Sequence, residues 1–487
     1  MTKASRSFGT TILVFALCVG ATWAQQKDPR VNPPVAPVPS LSPGESSSKP
    51  RQEGVSTPAA ETDSATPDTR PLSGAERFTL GEMGKRRSYL LASLDLFETA
   101  DSNSDNTGDK TNFDTASTFS GHIALQRLWS RYQLTADYTG GGSIYNNRSS
   151  LNTTLHQFGL SQAIAWRRWS LRLSDFLGYL PESAFGFGGF NSGLGSPSPT
   201  AVNLNPVSNV VNLNPTFTPS QTIFTSRAAR LSNTAVGEVQ YSLNPRSSIT
   251  ATGSYGILHF LGSDFINSTN NSNNAVFQTG YNHELTKRDT LALTYGFSRF
   301  WFGGTTRVIN NHAVQLGYGR RLTGRLALQL SGGPEIHRVS GSGRRLSWTT
   351  LSSLRYGFRR TELELSYAAY LAGGGGVLRG ARNHQVQLGV ARQLSRMWSG
   401  SLDLGFARNI GLRENTTQIV QPTFNSWYTG VNLRRPLGRY TSIFFNYVFQ
   451  RQTANSNACI GGVCATTALR QHFGLGFNWH LRPIRID

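Results

Sequence analysis

Residues 471–481 read QHFGLGFNWHL. Phe473, Leu475, Phe477, Trp479 and Leu481 take the odd positions; His472, Gly474, Gly476, Asn478 and His480 take the even ones. A period of two is that of a β-strand, whose successive side chains point to opposite faces. One face here is large and apolar, the other small and polar. A soluble sheet buries the first and wets the second. A membrane barrel turns the first to lipid and the second to a lumen. This stretch alone fits both, so the rest of the chain must decide.

The chain has 487 residues, of which 38% are hydrophobic and 15% charged, and its mean hydropathy is −0.31. That value does not exclude a membrane barrel, because only alternate residues of each strand touch lipid. At the N-terminus, Lys3 and Arg6 precede the apolar run TILVFALCVG (11–20), and ATWAQQ follows with Ala24 as a cleavage position. A charged start, a short apolar run and a small-residue exit predict a signal peptide over 1–24. The run is well short of the roughly 20 residues of a spanning helix. Cys18 follows Leu17, where a lipid-attachment signal needs a small residue. Residues 25–84, including VNPPVAPVPSLSPGESSSKP, are rich in Pro and Ser and predict a disordered periplasmic segment. No later segment reads as a transmembrane helix. If this exported chain enters a membrane, it does so as a closed barrel, since only helices and barrels satisfy every backbone group in lipid.

Residues 85–487 carry that barrel. Arg- or Lys-bearing turns recur in LWSRYQL (128–134), AWRRWSL (165–171), SLNPRSSI (242–249), LTKRDTL (285–291), RRLTGRLAL (320–328), GFRRTEL (357–363), QLSRMWSG (393–400) and RRPLGRYTS (434–442). They lie roughly 40 residues apart, with one interval about twice that. A propeller blade packs four short strands into such a period; here each period holds two long ones. Leu326, Leu328 and Leu330 alternate with Ala327, Gln329 and Ser331, and Val386, Leu388 and Val390 with Gln387 and Gly389. Each apolar set holds its face for about ten residues, the length a tilted strand needs to cross a bilayer. The opposite ends carry polar connections such as 98–114, 262–275 and 451–467. Eight hairpins, one strand before them (88–99) and one after (469–481) predict an all-β, antiparallel, up-and-down transmembrane barrel of about 18 strands, or 16 if the first strand or the region around the longest loop is misread. Both termini then lie on the short-turn, periplasmic side. Trp129, Trp166, Trp169, Trp398 and Trp479 sit by the short turns and Trp301, Trp348 and Trp427 toward the other end, as rings at two membrane interfaces do.

In architecture the chain resembles the bacterial outer-membrane β-barrels, the porins among them. His472, Gly474, Phe477 and Trp479 hold the places of the C-terminal assembly signal of that group: a polar residue, Gly two places on, then two alternating hydrophobics. The resemblance implies location in the outer membrane, contact with its lipids and recognition by the barrel-assembly machinery. Such barrels often end on an aromatic residue, whereas this one continues with RPIRID.

The formal charge is +20. No nucleic-acid-binding fold accompanies it. Arg131, Arg167, Arg168, Arg396 and Arg439 ring the short turns and suit anionic headgroups. Arg172, Arg355 and Arg434 have lumen parity, as have Glu362, Glu364, Asp403, Gln329 and Gln387. These eight are the candidate pore-lining residues; the arginines bias the lumen toward anions, or pair with the carboxylates and brace the wall. Cys459 and Cys464 predict a disulfide in the last long loop. The longest loop, about 180–225, holds the rank of the loop that folds inward in many porins. No catalytic signature, metal site or cofactor motif stands out. The leading expectation is a channel for diffusion of polar solutes, anionic ones among them. An export channel for an exopolysaccharide or similar polymer and a structural or adhesive surface barrel are the alternatives.

Overall fold

The computed structural model describes residues 88–103, 113–180, 229–261, 271–286, 288–323, 325–358, 360–372, 380–412, 422–455 and 467–486. The signal peptide expected over 1–24, the Pro/Ser-rich segment, the disulfide expected between Cys459 and Cys464 and most of the longest loop lie outside the described residues. Eighteen long strands follow one another: β1 (Tyr89–Asp101), β2 (Asp114–Leu128), β3 (Tyr132–Tyr145), β4 (Thr153–Ala165), β5 (Trp169–Leu180), β6 (Arg230–Asn244), β7 (Ser247–Phe260), β8 (Ser272–Glu284), β9 (Asp289–Phe302), β10 (Val308–Arg321), β11 (Leu326–Val339), β12 (Arg344–Gly357), β13 (Thr361–Ala372), β14 (Ala381–Gln393), β15 (Ser399–Gly411), β16 (Thr423–Pro436), β17 (Thr441–Ala454) and β18 (Thr467–His480). Each pairs antiparallel with the next. β1 closes the sheet on β18 over nine residue pairs, Ser93 opposite His480 to Asp101 opposite His472. At about 3.4 Å per residue and a tilt near 40°, strands of this length span a bilayer core of about 30 Å.

All eight short turns fall where the Arg- and Lys-bearing stretches placed them, which fixes the count at eighteen. The described chain begins and ends at this short-turn end. The tail after Trp479 has a structural role: a two-residue strand, β19 (Ile484–Arg485), continues in the direction of β18 along the start of β1, with Leu90 opposite Ile484. At the other end two connections are as short as the turns, 303–307 and 340–343, where Gly304 and Gly341 take φ values of 68° and 78°. The strands also run further into the polar segments than alternation suggested. β8 starts at Ser272 and β17 reaches Ala454, because inward positions accept polar residues without breaking the ladder.

The two faces part as expected. Leu94, Leu96, Leu293, Leu316, Leu330, Leu365, Val386, Leu402 and Leu475 are exposed on the outside. Between them, Ser93, Thr118, Thr252, Thr294, Ser331, Ser366, Asn409 and Asn446 line the inside. The ladder has one local defect. β11–β12 pairing continues to Arg338 opposite Arg344, but β12–β13 pairing stops at Thr350 opposite Ala369. Above that point Arg382 of β14 donates from Nη2 to the Trp348 carbonyl at 2.9 Å.

Candidate functional site

The eight candidate pore-lining residues all fall on the inner face, and the register shows which of them meet. Arg355 stands opposite Glu364, Glu364 opposite Gly389, and Gly389 opposite Asp403, so three of the charges share one row across β12–β15. Gly389 leaves room between the two carboxylates: a Cβ there would lie 3.4 Å from Asp403 Oδ1. Gln329 and Gln387 belong to the next row, through Ser353 and Ser366. Glu362 lies one inward position below Glu364. Arg172 stands apart on β5, opposite Glu238. Arg434 donates to Ser442 Oγ at 3.1 Å and to Asn478 Oδ1 at 3.4 Å, and Asn478 donates to Asp95 at 2.6 Å.

In the Arg355 and Arg434 groups the guanidinium is the more exposed partner. Arg355 pairs with Glu364 at 3.2 Å, with side-chain exposures of 55% and 15%. Arg434 is half-buried while Asp95 is fully buried. Arg172, Arg355 and Arg434 lie two or three residues inside the short-turn end of their strands, so all three sit at the same end of the barrel, spaced around its wall.

In residues 471–481 the odd face is outside and the even face inside, but much of the even face is covered. Phe444 and Phe97 lie over Gly476, their rings 6.0 Å apart edge to face, and Asn446 lies over Gly474. His472 and Asn478 are buried. Gly474 of the proposed assembly signal, and Gly476 beside it, are therefore spaces that neighbouring inward side chains fill.

Sequence parity missed two further inner clusters near the loop end. At the seam, Arg470 of β18 and Asp101 of β1 form a buried ion pair, and Asn103 donates to the Leu469 carbonyl at 3.0 Å. Arg470 has the same even parity as His472 and Gly474, so its inward face was legible; its partner, 369 residues away, was not. On the other side, Asn311 donates to Glu335 Oε1 at 2.7 Å and Ser347 to Oε2 at 3.3 Å. Above them Phe300, Phe302, Ile309, Val339 and Leu371 form an apolar cluster, joined by Leu412. Leu412 follows β15, five strands from β10, and its carbonyl accepts from Arg307 Nη2 at 3.1 Å. The loop ends of β13–β15 thus lean across the mouth onto the inner face of β9–β11 and narrow it. Among the described residues no group of three or more His, Cys, Asp or Glu side chains could hold a metal ion.

No protein-family model matches the chain, and no curated protein matches it. Among solved structures, Pseudomonas aeruginosa OccK2 (OpdF) in complex with glucuronate is 10% identical, with 81% of this chain and 98% of that one covered and a TM-score of 0.43. Pseudomonas aeruginosa OpdK with vanillate gives 10%, 81%, 98% and 0.42. Acinetobacter baumannii OccAB3 gives 8%, 81%, 99% and 0.42. The chain's own ladder is a closed antiparallel barrel of eighteen long strands, joined through β1 and β18, with apolar side chains outside and polar ones within.

Proposed function

We propose that this chain is a passive outer-membrane channel for small polar solutes, with anions favoured. The observation that carries the reading is the arrangement at the short-turn mouth. Arginine tips face the lumen there, while Glu364 and Asp95 sit back against the wall. A mouth walled by low-dielectric protein focuses the field of such charges, and rings of arginine select anions at close quarters. Barrels of this strand number leave an aqueous channel rather than a filled core. The apolar cluster and the leaning ends of β13–β15 supply a constriction that limits solute size. The C-terminal strand, with His472, Gly474, Phe477 and Trp479, serves the assembly machinery before closure.

Liposome swelling tests this reading. Vesicles carrying the barrel should swell in isotonic neutral sugar and faster in an equally small carboxylate salt, and slower in the salt of a matched organic cation. Swelling no faster than in protein-free vesicles for every solute would overturn it and leave the structural or adhesive barrel.

A further inference from the structure

The outer surface is charged unevenly. In the loop-side half of β9–β17 it carries Arg299, Arg338, Arg344, Arg408 and Arg451, all exposed. That surface has no outward carboxylate among the described residues. The same zone of β1–β8 has no outward arginine or lysine among the described residues; its charges are Glu98 and Asp175.

Register sharpens the asymmetry. Arg299 stands opposite Asn310, Asn310 opposite Arg338, and Arg338 opposite Arg344. Four neighbouring strands thus carry one lateral row of three guanidinium groups and an amide. With strands about 4.8 Å apart the row spans roughly 15 Å. Like charges directly opposite one another destabilise a strand pair. Among the described residues no carboxylate relieves Arg338 and Arg344; Arg299 lies over the Trp301 ring at 5.1 Å. A wall that keeps this row is suited to an anion from outside the chain. Arginine's planar fork fits phosphate oxygens two at a time.

The next outward positions toward the membrane centre are apolar. Ile336 and Leu346 face each other directly below Arg338 and Arg344, and Trp348 lies one step deeper; Leu346 and Trp348 are 66% and 61% exposed. A cationic row above bare apolar surface matches an amphiphile. A free phosphate has no use for the lower half.

We propose that the outer face of β9–β12 binds a phosphate-bearing lipid of the loop-side leaflet, its phosphate on Arg299, Arg338 and Arg344 and its acyl chains on Ile336, Leu346 and Trp348. The site rests on the membrane placement of the barrel and is independent of whether the lumen conducts.

The test uses the full-length barrel purified in neutral detergent, with bis-phosphorylated lipid A titrated and bound lipid counted by native mass spectrometry. Arg299→Gln/Arg338→Gln/Arg344→Gln should weaken binding at least about tenfold, the scale of losing two charge-assisted hydrogen bonds. Arg408→Gln/Arg451→Gln, exposed on β15 and β17 but off the row, should bind as the unaltered barrel does. If the triple variant fails to fold, as judged by heat-modifiable gel migration, the single variant Arg344→Gln is read by the same criterion, with a several-fold loss expected. Unchanged binding by the row variants overturns the site. Equal loss in the off-row variant shows general cation attraction and also overturns it. Full displacement of the lipid by millimolar inorganic phosphate shows a free-anion site and overturns the lipid assignment.

Discussion

Leu316 on β10 separates a lipid-facing wall from every alternative more sharply than any other position. It is 56% exposed on the outer face and stands opposite Leu293 of β9, itself 54% exposed. It lies five residues above Arg321, the last residue of β10 at the short-turn end. Five residues at about 3.4 Å and a tilt near 40° place it roughly 13 Å up, about the middle of an apolar band some 25 Å tall. An arginine at that depth costs about 2–4 kcal/mol, roughly thirty-fold to a thousand-fold in the ratio of folded to unfolded chain. Leu328, also outward, lies only two residues from its turn, where the cost falls toward zero. The control is the adjacent Gln315, which faces inward and donates to Thr349 Oγ1 at 3.3 Å. Gln315→Arg loses that bond, worth about 1 kcal/mol, and keeps its charge in the lumen. Reversible urea unfolding in phosphatidylcholine vesicles, read by tryptophan fluorescence, should show Leu316→Arg destabilised by at least about 1 kcal/mol more than Gln315→Arg. Equal losses at the two positions would refute the assignment of faces.

Three other outcomes are expected. With the native cysteines replaced, a cysteine at Ser342 should react with an impermeant maleimide on intact cells and one at Ser395 only after permeabilisation; the reverse pattern would invert the topology. Asp101→Asn strands Arg470 in the seam and should cost about 3–5 kcal/mol in urea unfolding, with the apolar pair Asp101→Leu/Arg470→Met recovering most of it; an unchanged midpoint for the single variant would remove the pair from the account of closure. Gly476→Ala puts a Cβ 2.9 Å from the Leu96 carbonyl and should lower the yield of heat-modifiable barrel. Gly253→Ala meets nothing within 4 Å and should be neutral or stabilising by about 0.5 kcal/mol; equal yields would show that the seam is not tightly packed.

Faces were legible in the sequence because alternation is set by backbone geometry. Leu326, Leu328 and Leu330 announce the outside of β11, and the arginine-bearing turns divide the chain into eighteen strands. Pairing was legible only around a turn: Arg355 and Glu364 are nine residues apart and meet, and the turn between them shows why. Arg434, Asn478 and Asp95 come together only when β18 closes on β1, a register that no local pattern encodes. Alternation also names a face and not its solvent. Phe97, Phe300 and Phe444 point inward as parity requires, yet Phe97 and Phe444 pack on Gly476 and on each other, and Phe300 packs against Ile309 and its apolar neighbours, instead of facing water. The point where β12 and β13 part leaves no mark in either strand, because it follows from the contacts of Leu371 and Leu412 across the mouth.

The proposed function requires an open lumen whose arginines face the passing solute. Single-channel recording in a planar bilayer under a salt gradient tests both at once. The unaltered barrel should conduct, with a reversal potential on the anion-selective side. Arg172→Gln/Arg355→Gln/Arg434→Gln should still conduct but shift toward cations. The shift should be larger at 0.01 M than at 0.1 M salt, as screening lengthens from about 10 Å to about 30 Å. Absence of conductance in the unaltered barrel, or an identical reversal potential in the triple variant, would contradict the account.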